Sequence, residues 1–295
     1  MFPVAKSGGV VIHCPVDGRY AFYNSPYPAH RLMTGIDIYP NSLNDEPMPS
    51  PVEGEVLQVR YVKSPQGHGF EAPLFDVVTI IRSNENPGRV IKVLHIDTKA
   101  RVGESISTGQ ILGPLIRSGY FGYQTPLHAH IEVRPSTDPL RVRGGYPIDS
   151  LLELKGLDLT EEITGRVTVT RPGYALIKLG LKTPGIVANV GGVPGILDGG
   201  IPLYGWFGAH AENPILNAHV KLLGKIIGKI TGVHPRTCVA ECTKFRFMLG
   251  FTPVDAFFML LPSGEPTIVV TSRRRGELEL NQNSEVSLTV EQLAQ

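Results

Sequence analysis

Three cysteines in 295 residues, widely spread except for Cys238 and Cys242, are too few and too uneven for a disulfide framework, so a reducing compartment fits best. No stretch approaches the roughly 20 apolar residues that span a bilayer, and residues 1–9 hold no basic segment leading into a long apolar one. The expectation is a chain with no transmembrane segment and no visible export signal, cytoplasmic as given, although a mature exported chain would read the same way. Charge of one sign is also lacking: 28 Lys and Arg against 27 Asp and Glu leave a formal charge of +1. No excess positive field exists to hold a phosphate backbone, so nucleic acid is not an expected partner.

What the chain has in quantity is turn formers. Its 33 glycines and 25 prolines make up about a fifth of the residues, against roughly 12% in an average protein. With a hydrophobic share of 42%, that excludes a helical bundle and favours short strands joined by tight turns around a real core. The expected fold class is mostly β, and the length favours two domains over one.

Short alternating or β-branched runs bounded by Gly, Pro and Asn predict strands over 9–14, 36–39, 54–62, 76–82, 90–96, 110–115 and 130–134. A boundary is placed near Asp149, after the turn-rich 135–147 and at a short helical-looking segment, 148–154. The expected domains are thus 1–149 and 150–295. In the second, strands are predicted over 165–170, 174–179, 245–251, 256–261, 267–271 and 286–290, with a glycine-dense middle from 184 to 208. Residues 214–230 form the only long helix candidate, with a β reading of 221–230 left open because Gly224 and Gly228 weaken the helix. Cys14 to Tyr20 and Ser50 to Val56 share a Pro-Val-acid-Gly turn before an extended segment, which suits either an internal duplication or two similar hairpin entries.

The chemistry-bearing residues concentrate in the first domain. His128 and His130 stand two apart in Leu-His-Ala-His-Ile-Glu-Val-Arg, and in a strand that spacing puts both imidazoles on one face, about 7 Å apart. Asp37 in Gly-Ile-Asp-Ile and His95 in Val-Leu-His-Ile-Asp each place one metal-competent side chain in a short apolar run, where it needs a partner. Either alone suits a turn carboxylate or a satisfied core histidine. Together they suggest mixed His and carboxylate ligation with an open position, the catalytic form of zinc.

In order, these segments and two others resemble peptidase family M23, the LytM and lysostaphin-like zinc metallopeptidases. The resemblance covers residues 12 to 135 and rests on Gly35-Ile36-Asp37-Ile38, Pro51-Val52-Glu53-Gly54-Glu55-Val56, Leu94-His95-Ile96, the segment from Val102 to Gly113 with Gly109-Gln110-Ile111, and His128-Ala129-His130-Ile131-Glu132-Val133-Arg134. It implies a duplicated hybrid β fold, a Zn2+ cofactor and metal-activated hydrolysis of a peptide or peptidoglycan-like substrate. It further implies Asp37 and His130 as metal ligands, with His95 and His128 as the catalytic pair that polarises water and steadies the tetrahedral intermediate. One departure matters. The family sets its first histidine four residues before the aspartate, where this chain has Met33, a poor zinc ligand. His30, seven residues before Asp37, replaces it only if 31–34 folds the imidazole back, since an odd separation on a straight strand points the two apart.

Two other functions compete with a zinc endopeptidase. A site that has lost its metal would leave the fold as a binding or scaffold module. A histidine phosphocarrier-type module would need His95 beside His128. The lipoyl-like halves around 51–56 and 102–111 lack the lysine context of that family at Lys92 and Lys99. His13, His68, His210, His219 and His234 read as structural or solvent-facing, Cys238 and Cys242 as buried thiols aligned on a helix face, and Arg273 to Arg275 as a solvated turn beside Glu277 and Glu279. Tyr20, Tyr23 and Tyr27 precede His30, where a tyrosine suits either an oxyanion donor or packing on a half-buried strand. Residues 150–295 are expected to be an accessory β-rich domain that supports a homo-oligomer.

Overall fold

The alternating and β-branched runs of the sequence are realised as strands throughout a computed structural model that describes residues 1–40, 47–262, 264–272, 278 and 280–293. Arg273 to Arg275, Glu277 and Glu279 lie outside the described residues. The chain divides into two compact units, Met1–Phe22 with Tyr27–Leu151, and Tyr23–Pro26 with Leu152–Gln295. The main division falls two residues beyond Asp149. The sequence carries no sign that four residues from the first segment group with the second unit, where the Tyr23 ring lies edge-on to Trp206 and His210 with centroids 6.3 and 6.1 Å away.

The strands of the first unit are β1 (Phe2–Ser7), β2 (Val10–Cys14), β3 (Arg19–Ala21), β4 (Ile36–Tyr39), β5 (Pro47–Pro49), β6 (Gly54–Lys63), β7 (Phe75–Ser83), β8 (Arg89–Leu94), β9 (Ser105–Ile106), β10 (Ile111–Pro114), β11 (Ala129–Pro135) and β12 (Ile148–Ser150). A single turn of helix, α1 (Pro28–Arg31), lies between β3 and β4. Its antiparallel main sheet runs β3-β4-β11-β8-β7-β6-β9, flanked by β12-β1-β2 and the pair β10-β5. Every residue of β4 is buried, and in β11 only Pro135 is not, so these neighbouring strands are covered on both faces. Val78, Ile80 and Val90 pack with Leu57, Val62 and Leu94, each fully buried aliphatic side chain contributing about 1.5–3 kcal/mol.

Two helical expectations fail. Residues 148–154 are not helical; Ile148–Ser150 is a strand paired antiparallel to β1. The candidate at 214–230 is a hairpin instead, with strands His219–Leu222 and Lys225–His234, and Gly224 at φ +75° with Leu223 at +48° forms the turn that a helix would forbid. Cys238 and Cys242 lie on the strand Thr237–Cys242 rather than on a helix. All three cysteines are free thiols.

The second unit holds a closed six-stranded antiparallel barrel, in the order Val187–Val190, Val193–Asp198, Trp206–Ala211, Thr237–Cys242, Lys225–His234 and His219–Leu222. Thus most of the glycine-dense stretch is barrel wall, while Gly200–Ile201 pairs instead with Ala256–Pro262. The remaining strands, including Ile163–Arg171, Tyr174–Leu179, Ala256–Pro262, Thr267–Thr271 and Glu285–Gln292, form an antiparallel sheet. The mostly β fold class holds in both units. Among the described residues no helix is long and apolar enough to cross a membrane.

Candidate metal centre

Register builds the centre. In the antiparallel pairing of β11 with β4, His130 stands directly opposite Asp37, and on its other side β11 pairs His130 with Leu94, the residue before His95. Opposed residues on neighbouring strands share a face with Cβ atoms about 5 Å apart. Asp37 is 1% exposed and His130 6%, and Nδ1 of His130 lies 2.9 Å from Oδ1 of Asp37.

His30 reaches the same oxygen by a reversal of the chain. Pro28 opens α1 in the first helical turn, where its fixed φ and missing N–H are tolerated. Just beyond the helix Met33 takes a left-handed φ of +55° and donates its N–H to the carbonyl of His30 at 3.0 Å, while Thr34 and Gly35 both donate to the carbonyl of Ala29 at 2.8 and 3.1 Å. This is a helix stop of the left-handed kind. It folds the segment back so that Nε2 of His30 lies 3.4 Å from Oδ1 of Asp37. The turn also needs Gly35: a Cβ there would meet Cε1 of His130 at 2.6 Å.

His30, Asp37 and His130 each offer a donor atom, all within 4.8 Å of one another and all buried. Nδ1 of His30 lies 2.7 Å from the carbonyl oxygen of Phe22. That oxygen only accepts, so Nδ1 carries the proton and Nε2 turns a lone pair toward a carboxylate oxygen unless a second proton or a cation lies between them. Two nitrogens and one carboxylate oxygen form a donor set suited to zinc with a coordination position left open. On the far side of His130, Nε2 lies 3.3 Å from Oε1 of Glu132, and Glu132 receives Nζ of Lys92 at 2.8 Å and Nη1 of the fully buried Arg134 at 2.7 Å. Such carboxylate support orients a ligating imidazole and raises its basicity.

The imidazoles and carboxylates of this cluster shift one another's titration. Burial disfavours the charged form of His130, but its hydrogen bonds to Asp37 and Glu132 outweigh that and raise it to about 9. Burial also opposes ionisation of Asp37, yet His30, His128 and the bond from His130 hold it well below the usual carboxylate range. For Glu132 burial is again overcome, by His130 and Lys92, and the carboxyl titrates at about 2.

His128 and His95 stand beside this cluster. Nε2 of His128 lies 3.7 Å from Oδ2 of Asp37, outside hydrogen-bond range, while Nδ1 donates to the carbonyl of Pro126 at 2.9 Å. Its ring stacks on Phe121 with centroids 4.3 Å apart, and burial, against the pull of Asp37, lowers it to about 4. The ring of His95 lies 5.5 Å from that of His128. All five site residues inferred from the sequence therefore come together.

Sequence reasoning passed over Asp76, Ser118 and Phe121, and gave Glu132 no role. The one signal for Asp76 was a carboxylate directly before the largely apolar residues 77–81 of β7. Of the remaining histidines, His68, His219 and His234 are exposed, whereas His210 is fully buried against Asp198 at 3.0 Å. Tyr23 is buried in the second unit.

Residues 12–150 match a family described as the N-terminal domain of DUF8155, a domain of unknown function. No curated protein and no solved structure matches the chain.

Proposed function

We propose that the first unit is a zinc-dependent peptide hydrolase of the M23 kind, in which His30 takes the ligand role that the family gives to the position of Met33. The observation that carries this reading is the convergence of His30 and His130 on Oδ1 of Asp37, at 3.4 and 2.9 Å. His30 Nε2, a carboxylate oxygen of Asp37 and His130 Nδ1 would hold the metal. Bound there, zinc supplies a Lewis acid that polarises a carbonyl and acidifies water.

The chain's own groups do the rest. With its Nδ1 proton committed to Pro126, His128 offers a lone pair at Nε2 and accepts a proton from water as it attacks a peptide carbonyl. His95, when protonated at Nε2, donates to the oxyanion or to the leaving amine. Phe121 packs against both imidazoles, with centroids 4.8 Å from His95 and 4.3 Å from His128, and keeps water from their flanks. The substrate class that the resemblance implies is a glycine-rich or D-amino-acid peptide such as a cell-wall cross-link.

The test is cleavage of a quenched-fluorescent pentaglycine peptide by the full chain supplied with zinc. Chelator-sensitive cleavage supports the reading; no cleavage of this or of D-amino-acid peptides by zinc-loaded protein defeats it. One observation favours a metal-free binding module instead. Nδ1 and Nε2 of His130 lie 2.9 and 3.3 Å from the carboxylates of Asp37 and Glu132, so a protonated ring would satisfy both without a metal ion. In that case the protein takes up no zinc.

A further inference from the structure

Nδ1 of His95 lies 2.6 Å from Oδ2 of Asp76, and the same oxygen accepts the hydroxyl of Ser118 at 2.6 Å. The other carboxylate oxygen, Oδ1, accepts the N–H of Val77 at 2.7 Å. Asp76 is 1% exposed and Ser118 fully buried. Burial raises the cost of the carboxylate, yet these bonds keep it below its ordinary range. His95 itself is held at the end of β8 with φ +71°, a left-handed conformation that is uncommon outside glycine. Its own backbone is pinned on both sides, its N–H to the carbonyl of Val77 at 3.3 Å and its carbonyl to the N–H of Ile116 at 2.8 Å. The strain, the pinning and the carboxylate all serve to aim one ring.

From this geometry we infer that Asp76 is a positioning residue that locks His95 in the Nδ1–H tautomer, leaving Nε2 as the atom available for proton transfer. The inference deepens the hydrolase reading and rests on it for its purpose. The two cleft histidines are thereby made unequal. His128 leans on the neutral carbonyl of Pro126, whereas His95 leans on a carboxylate that stabilises positive charge as it develops on the ring. The proton that His128 takes from the attacking water is relayed to Nε2 of the neighbouring His95 and given from there to the leaving amine, which returns both rings to their neutral forms, with Asp76 remaining ionised throughout.

Asp76→Asn tests this sharply because the amide has no freedom of orientation. Val77 N–H can only donate, so the amide oxygen must stay at the Oδ1 position and the NH2 group must face Ser118 and His95. Ser118 can accept from it. Nδ1 of His95 must then become an acceptor, which moves its proton to Nε2. The readout is the ring-nitrogen NMR spectrum of the zinc-supplied full chain labelled with 15N-histidine, with His95→Gln assigning the resonance. The expected result is protonated Nδ1 in the wild type and protonated Nε2 in Asp76→Asn, with Ser118→Ala retaining the wild-type tautomer. A wild-type ring protonated at Nε2 with Nδ1 bare, or an unchanged tautomer in a folded Asp76→Asn protein, overturns the assignment. On the pentaglycine peptide, Asp76→Asn should lower kcat by about 100-fold or more, the scale of general acid–base catalysis, with KM and zinc content unchanged. A loss expressed in KM alone contradicts the role. A wild type that cleaves nothing removes the hydrolase reading, while the tautomer still decides what Asp76 does.

Discussion

His30 and Asp37 are seven residues apart, yet Nε2 of one lies 3.4 Å from Oδ1 of the other. One turn of helix and a left-handed Met33 bring this about, so in the proposed site Met33, a poor zinc ligand, is the hinge that would deliver His30 in its place. The reversal is local, and it brings Gly35 against the ring of His130.

Gly35→Ala should weaken zinc binding by at least about 10-fold, the scale seen when supports of metal ligands are altered. The new Cβ would lie 2.6 Å from Cε1 of His130 and 3.1 Å from Cβ of Ala29, so either the ring or the helix must shift. Competition with a chromogenic chelator measures the change; unaltered affinity would mean that the His130 position is not critical.

The two histidines of the His-Ala-His segment should separate by role. His130→Ala is expected to lose both zinc and hydrolysis, whereas His128→Ala keeps zinc and loses hydrolysis by about 100-fold or more. Elemental analysis alongside peptide cleavage checks both. Equal loss of metal in the two variants would show the roles to be wrongly divided.

Asp76 also ties stability to pH. Its bonds to His95, Ser118 and Val77 hold it below the usual carboxylate value near 4 in the folded state, so its contribution is fully present above about 4 and is lost as pH falls through the lower, folded-state value. Asp76→Asn should therefore cost about 1–3 kcal/mol at pH 7, the penalty for disturbing a buried hydrogen-bonded group, and the deficit should shrink in acid. Urea unfolding of both proteins at pH 7 and near pH 3 measures this. A deficit that is the same at both pH values would contradict the ionised, hydrogen-bonded state.

In the second unit, burial pushes Cys238 up to about 12. At pH 8 only about one thiol in 10⁴ is then ionised, and the thiolate is the reactive form. Iodoacetamide should leave Cys238 unmodified in the native protein and alkylate it on unfolding, as peptide mass mapping would reveal; rapid labelling in the native state would mean that the barrel opens readily.

Short apolar and β-branched runs bounded by Gly or Pro were legible in the sequence because the breakers mark where pairing must end: Tyr174–Leu179, between Gly173 and Gly180, and Thr267–Thr271, after Pro266, coincide with their predicted spans. The barrel was not. Its strands are interrupted by glycines, and the spacing of Leu222, Leu223, Ile226 and Ile227 imitates a helical face while the turn at Leu223 and Gly224 is set by backbone dihedrals that periodicity cannot register. At the site, the order of Asp37, His95, His128 and His130 was visible as a pattern of residue types. The return of His30 depends on a one-turn helix and its stop, and the pairing of Asp76 with His95 depends on strand register across β7 and β8. Neither leaves a short-range trace.

The central claim is that His30 completes a zinc site with Asp37 and His130. Elemental mass spectrometry of freshly purified full-length protein, beside His30→Ala, tests it most directly. The account predicts about one zinc per chain in the wild type and none in the variant. No zinc in the wild type even after it is supplied, or zinc retained in full by His30→Ala, would contradict it.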